Sequence, residues 1–270
     1  MKPLQRPAHR APAILLFALS LAGLAGCATV ANPNPRDPWE GFNRGSYRFN
    51  EGLDRVLLKP VATLYRDKVP PLVRTGVSNF FGNLGDGWSA VNSLLQLHLQ
   101  DFEENLARFQ LNTMFGVFGI FDVASEFNIE RHSEDFGQTL GRWGMPPGPY
   151  LVLPFLGPST VRDAAALPVD YHFDLAGQIG NNTGRDLVWG LKFVDKRANL
   201  LRVGNVLDEA ALDKYSFTRD AYLQHRRAEI YDRDDNRDVP PPLPDESAEP
   251  SSAAPSSAAP ARQPASAPAR

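Results

Sequence analysis

The sequence predicts an all-α body on three observations: capping signals followed by apolar residues at a helical period, one clean amphipathic stripe near residue 190, and period-2 alternation confined to fragments such as Tyr150-Leu151-Val152-Leu153. No self-similar period is present, which excludes a repeat solenoid. Asp37-Pro38-Trp39-Glu40 opens the first helix with a cap acceptor, a proline at the first helical position and a carboxylate three residues past the cap. Phe42, Phe49, Leu53, Val56 and Leu57 then recur at a helical period until Pro60 is expected to stop it, with Gly41, Gly45 and Gly52 weakening its propensity. Asp101 with Glu104 opens a second helix, along which Phe102, Leu106, Phe109 and Thr113 share a face. Residues 186–201 place Leu187, Val188, Leu191, Val194, Ala198 and Leu201 on one side and Lys192, Asp195, Lys196 and Asn199 on another, with Gly204 the expected stop. The last helix is heavily charged and runs from about Phe217 to Tyr231.

The ends differ from this body. Lys2, Arg6 and Arg10 precede an apolar run, Ala13 to Leu19, and residues 1–26 read as a secretory leader whose apolar run falls short of the roughly 20 residues that span a bilayer. The leader closes on Leu24-Ala25-Gly26-Cys27, a lipobox in which the Cys27 thiol receives diacylglycerol and becomes the new N-terminus. Cys27 is the chain's one cysteine, so an intrachain disulfide and a multi-thiolate metal site are both excluded. Several acyl chains together make a stable anchor at about 0.8 kcal/mol per buried CH₂. Ala28, not Asp, follows the cysteine, and this favours sorting to the outer membrane. Residues 27–37, with Asn32-Pro33-Asn34-Pro35, are expected to tether a body over 38–236. Residues 237–270, rich in Pro, Ala and Ser, lack the large apolar side chains that offset ordering entropy and are expected to be disordered. A formal charge of −3 supplies no basic field, so no nucleic-acid partner is expected.

Two apolar stretches are too short to span a bilayer. Residues 111–124 carry Phe115, Phe118 and Phe121 between Gly116 and Gly119; such a segment is either core or interfacial, and a body already anchored at a bilayer can leave it facing lipid. Residues 141–157 hold Pro146, Pro147, Pro149 and Pro154 and four glycines, which forbid a regular helix and argue against a central strand. A shaped loop is expected, with Trp143, Tyr150 and Phe155 either packed beneath it or placed at a headgroup interface.

Catalytic signatures are missing. There is no GxSxG elbow, no HExxH and no GxxxxGK, and Gly82, Gly85 and Gly87 lie in the wrong context for a phosphate loop. His98, His132, His172 and His225 are scattered, and His132 beside Glu134 and Asp135 reads as a solvated turn. No catalytic residue, metal ligand or cofactor is assigned, apart from the covalent lipid on Cys27. A lipid-modifying esterase is the disfavoured alternative.

Several blocks resemble the MlaA/VacJ lipoproteins: Asp37-Pro38-Trp39-Glu40-Gly41-Phe42-Asn43-Arg44, Gly76 through Leu84, Arg108-Phe109-Gln110-Leu111-Asn112-Thr113 leading to Gly119-Ile120-Phe121-Asp122, and Asp135-Phe136-Gly137-Gln138-Thr139-Leu140-Gly141. Gly148-Pro149-Tyr150, Leu153-Pro154-Phe155, Arg162-Asp163, Arg197-Ala198-Asn199-Leu200-Leu201 and Arg219-Asp220-Ala221-Tyr222-Leu223-Gln224 continue the likeness in family order over residues 36–228. The resemblance implies a single helical ring with Gly/Pro-rich loops, seated in the inner leaflet of the outer membrane on its periplasmic side and enclosing a central amphipathic channel. It also implies work with trimeric porins, removal of phospholipids that have strayed into the outer leaflet, and their transfer to a soluble periplasmic carrier and onward to an ATP-driven inner-membrane complex. Under that implication Arg185, Lys192 and Lys196 become candidates for a polar channel wall, with Arg44 and Arg142 as alternative headgroup contacts. A purely structural lipoprotein tethering membrane or porin is the competing reading. Substituting Cys27→Ala should abolish incorporation of labelled palmitate into the protein, measured after immunoprecipitation from labelled cells.

Overall fold

A computed structural model describes residues 34–179, 182–204 and 213–231. The leader, Leu24, Ala25, Gly26, Cys27 and the 237–270 tail lie outside the described residues. The expected helical architecture is present, with one addition. A two-stranded antiparallel hairpin, β1 (Tyr150–Leu153) and β2 (Gly157–Thr160), pairs Tyr150 with Thr160 and Leu153 with Gly157 inside the stretch expected to be loop.

The first helix, α1 (Glu40–Leu53), is capped by Trp39 without a side-chain bond. Asp37, expected as the cap, is instead buried and accepts from Asn43 Nδ2 at 2.7 Å, from the Tyr215 hydroxyl and from Arg219. Residues 34–37 are therefore packed on the body: Arg36 O accepts from Tyr150 N at 2.9 Å. Asn43 receives Val152 N at 2.8 Å and donates to Tyr150 O at 3.0 Å, while Asn50, two turns on, receives Phe155 N and donates to Leu153 O. Two asparagine side chains thus stand in for a third strand and close the outer edge of β1.

Pro60 does not stop the helix. A π-helical turn, Asp54–Leu58, precedes α2 (Lys59–Lys68), and the wider turn makes room for a proline near the start of α2. The longest helix, α3 (Pro71–Leu95), carries no apolar stripe that periodicity could detect, because much of its buried face is polar: Asn83, Asp86, Ser89, Asn92 and Ser93. It packs on α4 (Leu99–Met114), which begins before the expected Asp101, with His98 as cap and Asp101 in its first turn. A short helix, α5 (Val123–Glu126), is capped by Asp122, and α6 (Phe136–Arg142) opens with a capping box between Asp135 and Gln138. Thr160 caps α7 (Val161–Phe173), which tolerates Pro168 internally; a 3₁₀ turn, Leu175–Gln178, then leads towards α8 (Asn182–Asn199). Helix α8 ends at Asn199, before the expected stop at Gly204, and after a turn at Leu200 helical backbone resumes over 201–204, where Gly204 N–H donates to Leu200 O. The last helix, α9 (Lys214–Tyr231), lies on α6, where Arg226 forks Asp135 at 2.6 and 2.7 Å and reaches Asp163 at 3.2 Å.

The interior is unusual in kind. Among the described residues half of the buried hydrophobic side chains are alanine, whereas Asn43, Asn83, Asn92, Asn105, Arg108 and Asn112 are nearly inaccessible. Arg108, 2% exposed, places Nη2 2.7 Å from both Asp122 oxygens, and Arg131 holds Asp86 at 2.7 and 3.1 Å. Asn105 receives His132 N and donates to His132 O. His132 is thereby drawn against α4, its Nε2 2.7 Å from Glu104, and is not the solvated turn the sequence suggested. Most of these buried amides and charges meet another polar group, which offsets the desolvation cost each would otherwise carry.

Removing the guanidinium in Arg108→Met leaves Asp86 and Asp122 without their shared cation and should lower stability by about 3–5 kcal/mol, measured by urea unfolding. Burial pushes the Asp122 carboxyl up, but the Ser125 hydroxyl, the Arg108 guanidinium and the Asn112 amide outweigh it and hold it at about 2. Its folded value is depressed, so its contribution is present above its ordinary value of 3.8 and is lost as pH falls towards 2. Wild-type unfolding midpoints should therefore drop across that window, and the drop should be smaller in Asp122→Asn.

Candidate functional site

Helix α8 separates two recesses. The polar one, about 440 Å³, is walled by Trp88 of α3, Glu134 and Asp135 ahead of α6, Asp170 of α7, and Lys192 and Lys196 of α8. Trp88 stacks on Phe173 at 4.8 Å and donates from Nε1 to Asp170 at 2.8 Å. Lys192 Nζ reaches Asp174 and lies 5.1 Å above the Trp189 ring. Burial pushes the Asp170 carboxyl up against the Phe136 N–H and the Trp88 indole that hold it down. Lys196 is exposed and forms no ion pair among the described residues.

The other recess, about 520 Å³, is almost wholly apolar and is walled by Leu72, Val73, Phe80, Ile120, Val188 and Leu191. The stripe read from the sequence is thus split. Ala198 and Leu201 are buried with Ala62, whereas Leu191 lines an open recess and Leu187 is 71% exposed. Asp195, expected on the solvated side, is buried and accepts from Tyr65 OH at 3.0 Å and Ser78 Oγ at 2.8 Å. Burial, then the bond to Asp195, pushes Tyr65 up to about 12. A third recess, about 420 Å³, shares Leu156 of the β1–β2 turn with the polar one and collects Arg55, Lys59, Arg197 and Lys214 beside Glu51 and Asp54. Arg197 grips Asp54 of the π turn at 2.6 and 2.7 Å.

The other expected residues fall elsewhere. Arg185 sits on exposed α8 surface, 4.0 Å from Asp186, and lines none of these recesses. Arg44 is bound to Glu40 and Asp213, both at 2.7 Å, and covers the Tyr215 ring at 4.4 Å; its place is a clasp between α1 and α9. The Asp213 bond, opposed by burial, raises the Arg44 pKa, and Asp213 is lowered in turn. Arg142 donates to Ile230 O at 3.0 Å near the end of α9. The aromatic expectations divide. Phe115, Phe118 and Phe121 are exposed beyond the end of α4, on a turn where Val117 and Phe118 hold φ of 53° and 57°. Trp143 is exposed with Nε1 on Leu95 O, and Phe155 is exposed against Phe49. Tyr150 corrects the expectation: it is 0% exposed, because the alternation of β1 turns Tyr150 and Val152 inward onto Tyr215. Sequence reasoning missed Trp88, Asp170 and Asp174; the spacing of the last two, four apart across the end of α7, was the available signal.

Residues 35–229 match the model of the MlaA lipoprotein family. The chain belongs to the MlaA lipoprotein family. Within it, the chain is 37% identical to the intermembrane phospholipid transport system lipoprotein MlaA of Escherichia coli (strain K12), over 77% of this chain and 84% of that relative. The Haemophilus influenzae protein of the same name is 32% identical over 81% of this chain and 90% of its own. A chain from the structure reported as "Structural basis for maintenance of bacterial outer membrane lipid asymmetry" superposes with a TM-score of 0.64 at 34% identity, covering 72% of this chain and 98% of that one. No helix among the described residues of this MlaA-family chain is long and apolar enough to cross a membrane.

The exposed aromatic turn can be tested apart from the anchor. In a Cys27→Ala background, Phe115→Ser with Phe118→Asn should leave stability within about 0.5 kcal/mol. The φ of 57° at position 118 suits asparagine. Binding to phospholipid vesicles in a flotation assay should fall by at least about tenfold per ring removed.

Proposed function

We propose that this protein is an outer-membrane lipoprotein that takes mislocalised phospholipids from the outer leaflet and passes them on between membranes, using the recess beside α8 as part of a polar passage. One observation carries the reading: polar groups fill the interior while Trp39, Phe42, Phe49, Leu97, Met114 and Phe118 are exposed. In water that distribution is costly, and in hydrocarbon it is favourable. The E. coli and H. influenzae relatives, named for intermembrane phospholipid transport, support the same reading.

The task is to carry a charged headgroup past a low-dielectric layer while its tails remain in lipid. An unshielded ion there is expensive, so the path has to offer polar partners throughout. Lys192 and Lys196 supply charge-assisted donors for phosphate. The apolar recess across α8, with Val188 and Leu191 on its wall, offers an apolar surface for acyl chains. Leu156 borders both charged recesses, which puts the hairpin turn where the two could join.

In this reading Cys27 carries the lipid, the body lies on the periplasmic side, and phospholipid is bound transiently with no resident cofactor. A trimeric porin is its partner in the membrane, and a soluble periplasmic carrier receives the lipid. No step requires the chain to break a covalent bond. The test is surface labelling of outer-leaflet phospholipid in cells lacking the gene and complemented with wild type or with Lys192→Gln/Lys196→Gln. The double variant should accumulate labelled phospholipid several-fold over wild type, approaching the deletion. Clearance equal to wild type would remove α8 from the passage, and a deletion without any accumulation would favour a structural tether.

A further inference from the structure

The turn between α2 and α3 gathers cations that the polar recess does not use. Val69 and Pro70 cross from one helix to the other in extended backbone, with ψ of 127° and 142°, and Arg66, Lys68 and Arg74 flank that crossing. Arg66 is paired with Asp67 at 2.8 Å. Arg74 donates from Nε to Val69 O at 3.2 Å, and neither it nor Lys68 forms an ion pair among the described residues. The Arg66 bond, then the charges of Arg66, Lys68 and Arg74, hold the Asp67 carboxyl below its ordinary value against desolvation. One carboxylate thus serves three cations, and two positive charges are left unmatched at this corner.

Apolar surface adjoins the corner on both sides. Leu57, Val61 and Leu64 are exposed at helical spacing along the π turn and α2, and Lys68 comes next on that face. Beyond the corner, Leu72 and Val73 are exposed and wall the apolar recess together with Val188 and Leu191 of α8. The one charged side chain on that wall, Asp122, is already taken by Arg108 at 2.7 Å, so the recess itself offers no free charge to a headgroup. A methylene fills about the volume of a water molecule, roughly 30 Å³, so about 520 Å³ holds one acyl chain of roughly 17 carbons and not two. Basic side chains at the rim of an apolar surface sit at headgroup depth, where they attract anionic lipid.

We propose that the α2–α3 corner and the apolar recess form one site for a phospholipid of net negative headgroup drawn from the surrounding leaflet, with the phosphate at Lys68 and Arg74 and one acyl chain along Leu72, Val73 and Leu191. A headgroup that adds an ammonium brings a like charge to the same cations and binds less well. The proposal rests on the transport reading's assignment of this recess to acyl chains, and it names the headgroup that accompanies them on that side of α8.

The test places the full lipidated protein in phosphatidylcholine vesicles doped with phosphatidylglycerol or phosphatidylethanolamine carrying a diazirine at the end of one acyl chain. After photolysis, mass spectrometry maps the labelled peptides. Phosphatidylglycerol should label the recess segments, 72–80 and 188–191, about fivefold more than phosphatidylethanolamine, the scale of one basic residue at a lipid surface. Lys68→Gln/Arg74→Gln should abolish that excess, and the charge-keeping Lys68→Arg/Arg74→Lys should retain it. Equal labelling by the two lipids in wild type, an excess that survives the glutamine pair, or one lost in the charge-keeping pair overturns the headgroup site. If neither lipid labels the recess, the assignment of acyl chains to it in the transport reading is overturned instead.

Discussion

Arg108 sits almost fully buried between α3 and α4, its guanidinium shared among both oxygens of Asp122, the Ile129 carbonyl and the Ser125 hydroxyl, with Asp86 3.6 Å from Nε. Such a charge is tolerated only when its partners are fixed, and fixing them dictates much of the surrounding backbone. Asp122 caps α5 with the same carboxylate, so the turn carrying Phe115, Phe118 and Phe121 is anchored at its far end by the buried cation. Asn112 adds a bond to Asp122 and receives Ala124 N. Polar cohesion in the interior and aromatic exposure at the edge are two consequences of one joint. A helix pair that spends its asparagines and arginine on itself leaves its leucines and phenylalanines outside.

The same division runs through α8. Asp195 is buried against Tyr65 and Ser78, Ala198 packs on α2, and Arg197 grips the π turn, so the C-terminal half of the helix is fixed. Its earlier turns are free to face a polar recess with Lys192 and an apolar one with Val188 and Leu191. A phospholipid has these two characters in one molecule. Asn43 and Asn50 perform the matching service for the hairpin, completing the edge of β1 so that Phe155 and Leu156 are held at the recess without another strand.

Several of these features were legible in the sequence and others were not, for physical reasons. Lys192 and Lys196 could be placed on one wall because a helical period holds through α8. Phe115, Phe118 and Phe121 stood out because glycines broke an apolar run too short to span. By contrast α3 was invisible: Gly76, Gly82, Gly85 and Gly87 lower its helix propensity, and its inward face is amide and carboxylate. At two of those glycines a neighbouring side chain comes close. A Cβ at Gly82 would lie 2.7 Å from the Arg131 guanidinium, and one at Gly76 would lie 3.0 Å from Ile120. Rules that equate inside with apolar also misplace Leu187 and Asp195, since they assume water on every outer face. Tyr150 was open between a packed and an interfacial place, and the two-residue alternation of its strand turns it inward.

The central claim is that the body is sunk in lipid at its aromatic edge and wet beside α8. Single-cysteine probes at positions 118 and 196, introduced as Phe118→Cys and Lys196→Cys in the lipidated protein in outer-membrane vesicles, test it most directly. Position 196 should react readily with a charged, water-borne maleimide, while a fluorophore at 118 should resist it and be quenched by bromine on acyl chains. Rapid aqueous labelling at 118 without acyl-chain quenching, or protection of 196 from water, would contradict the account.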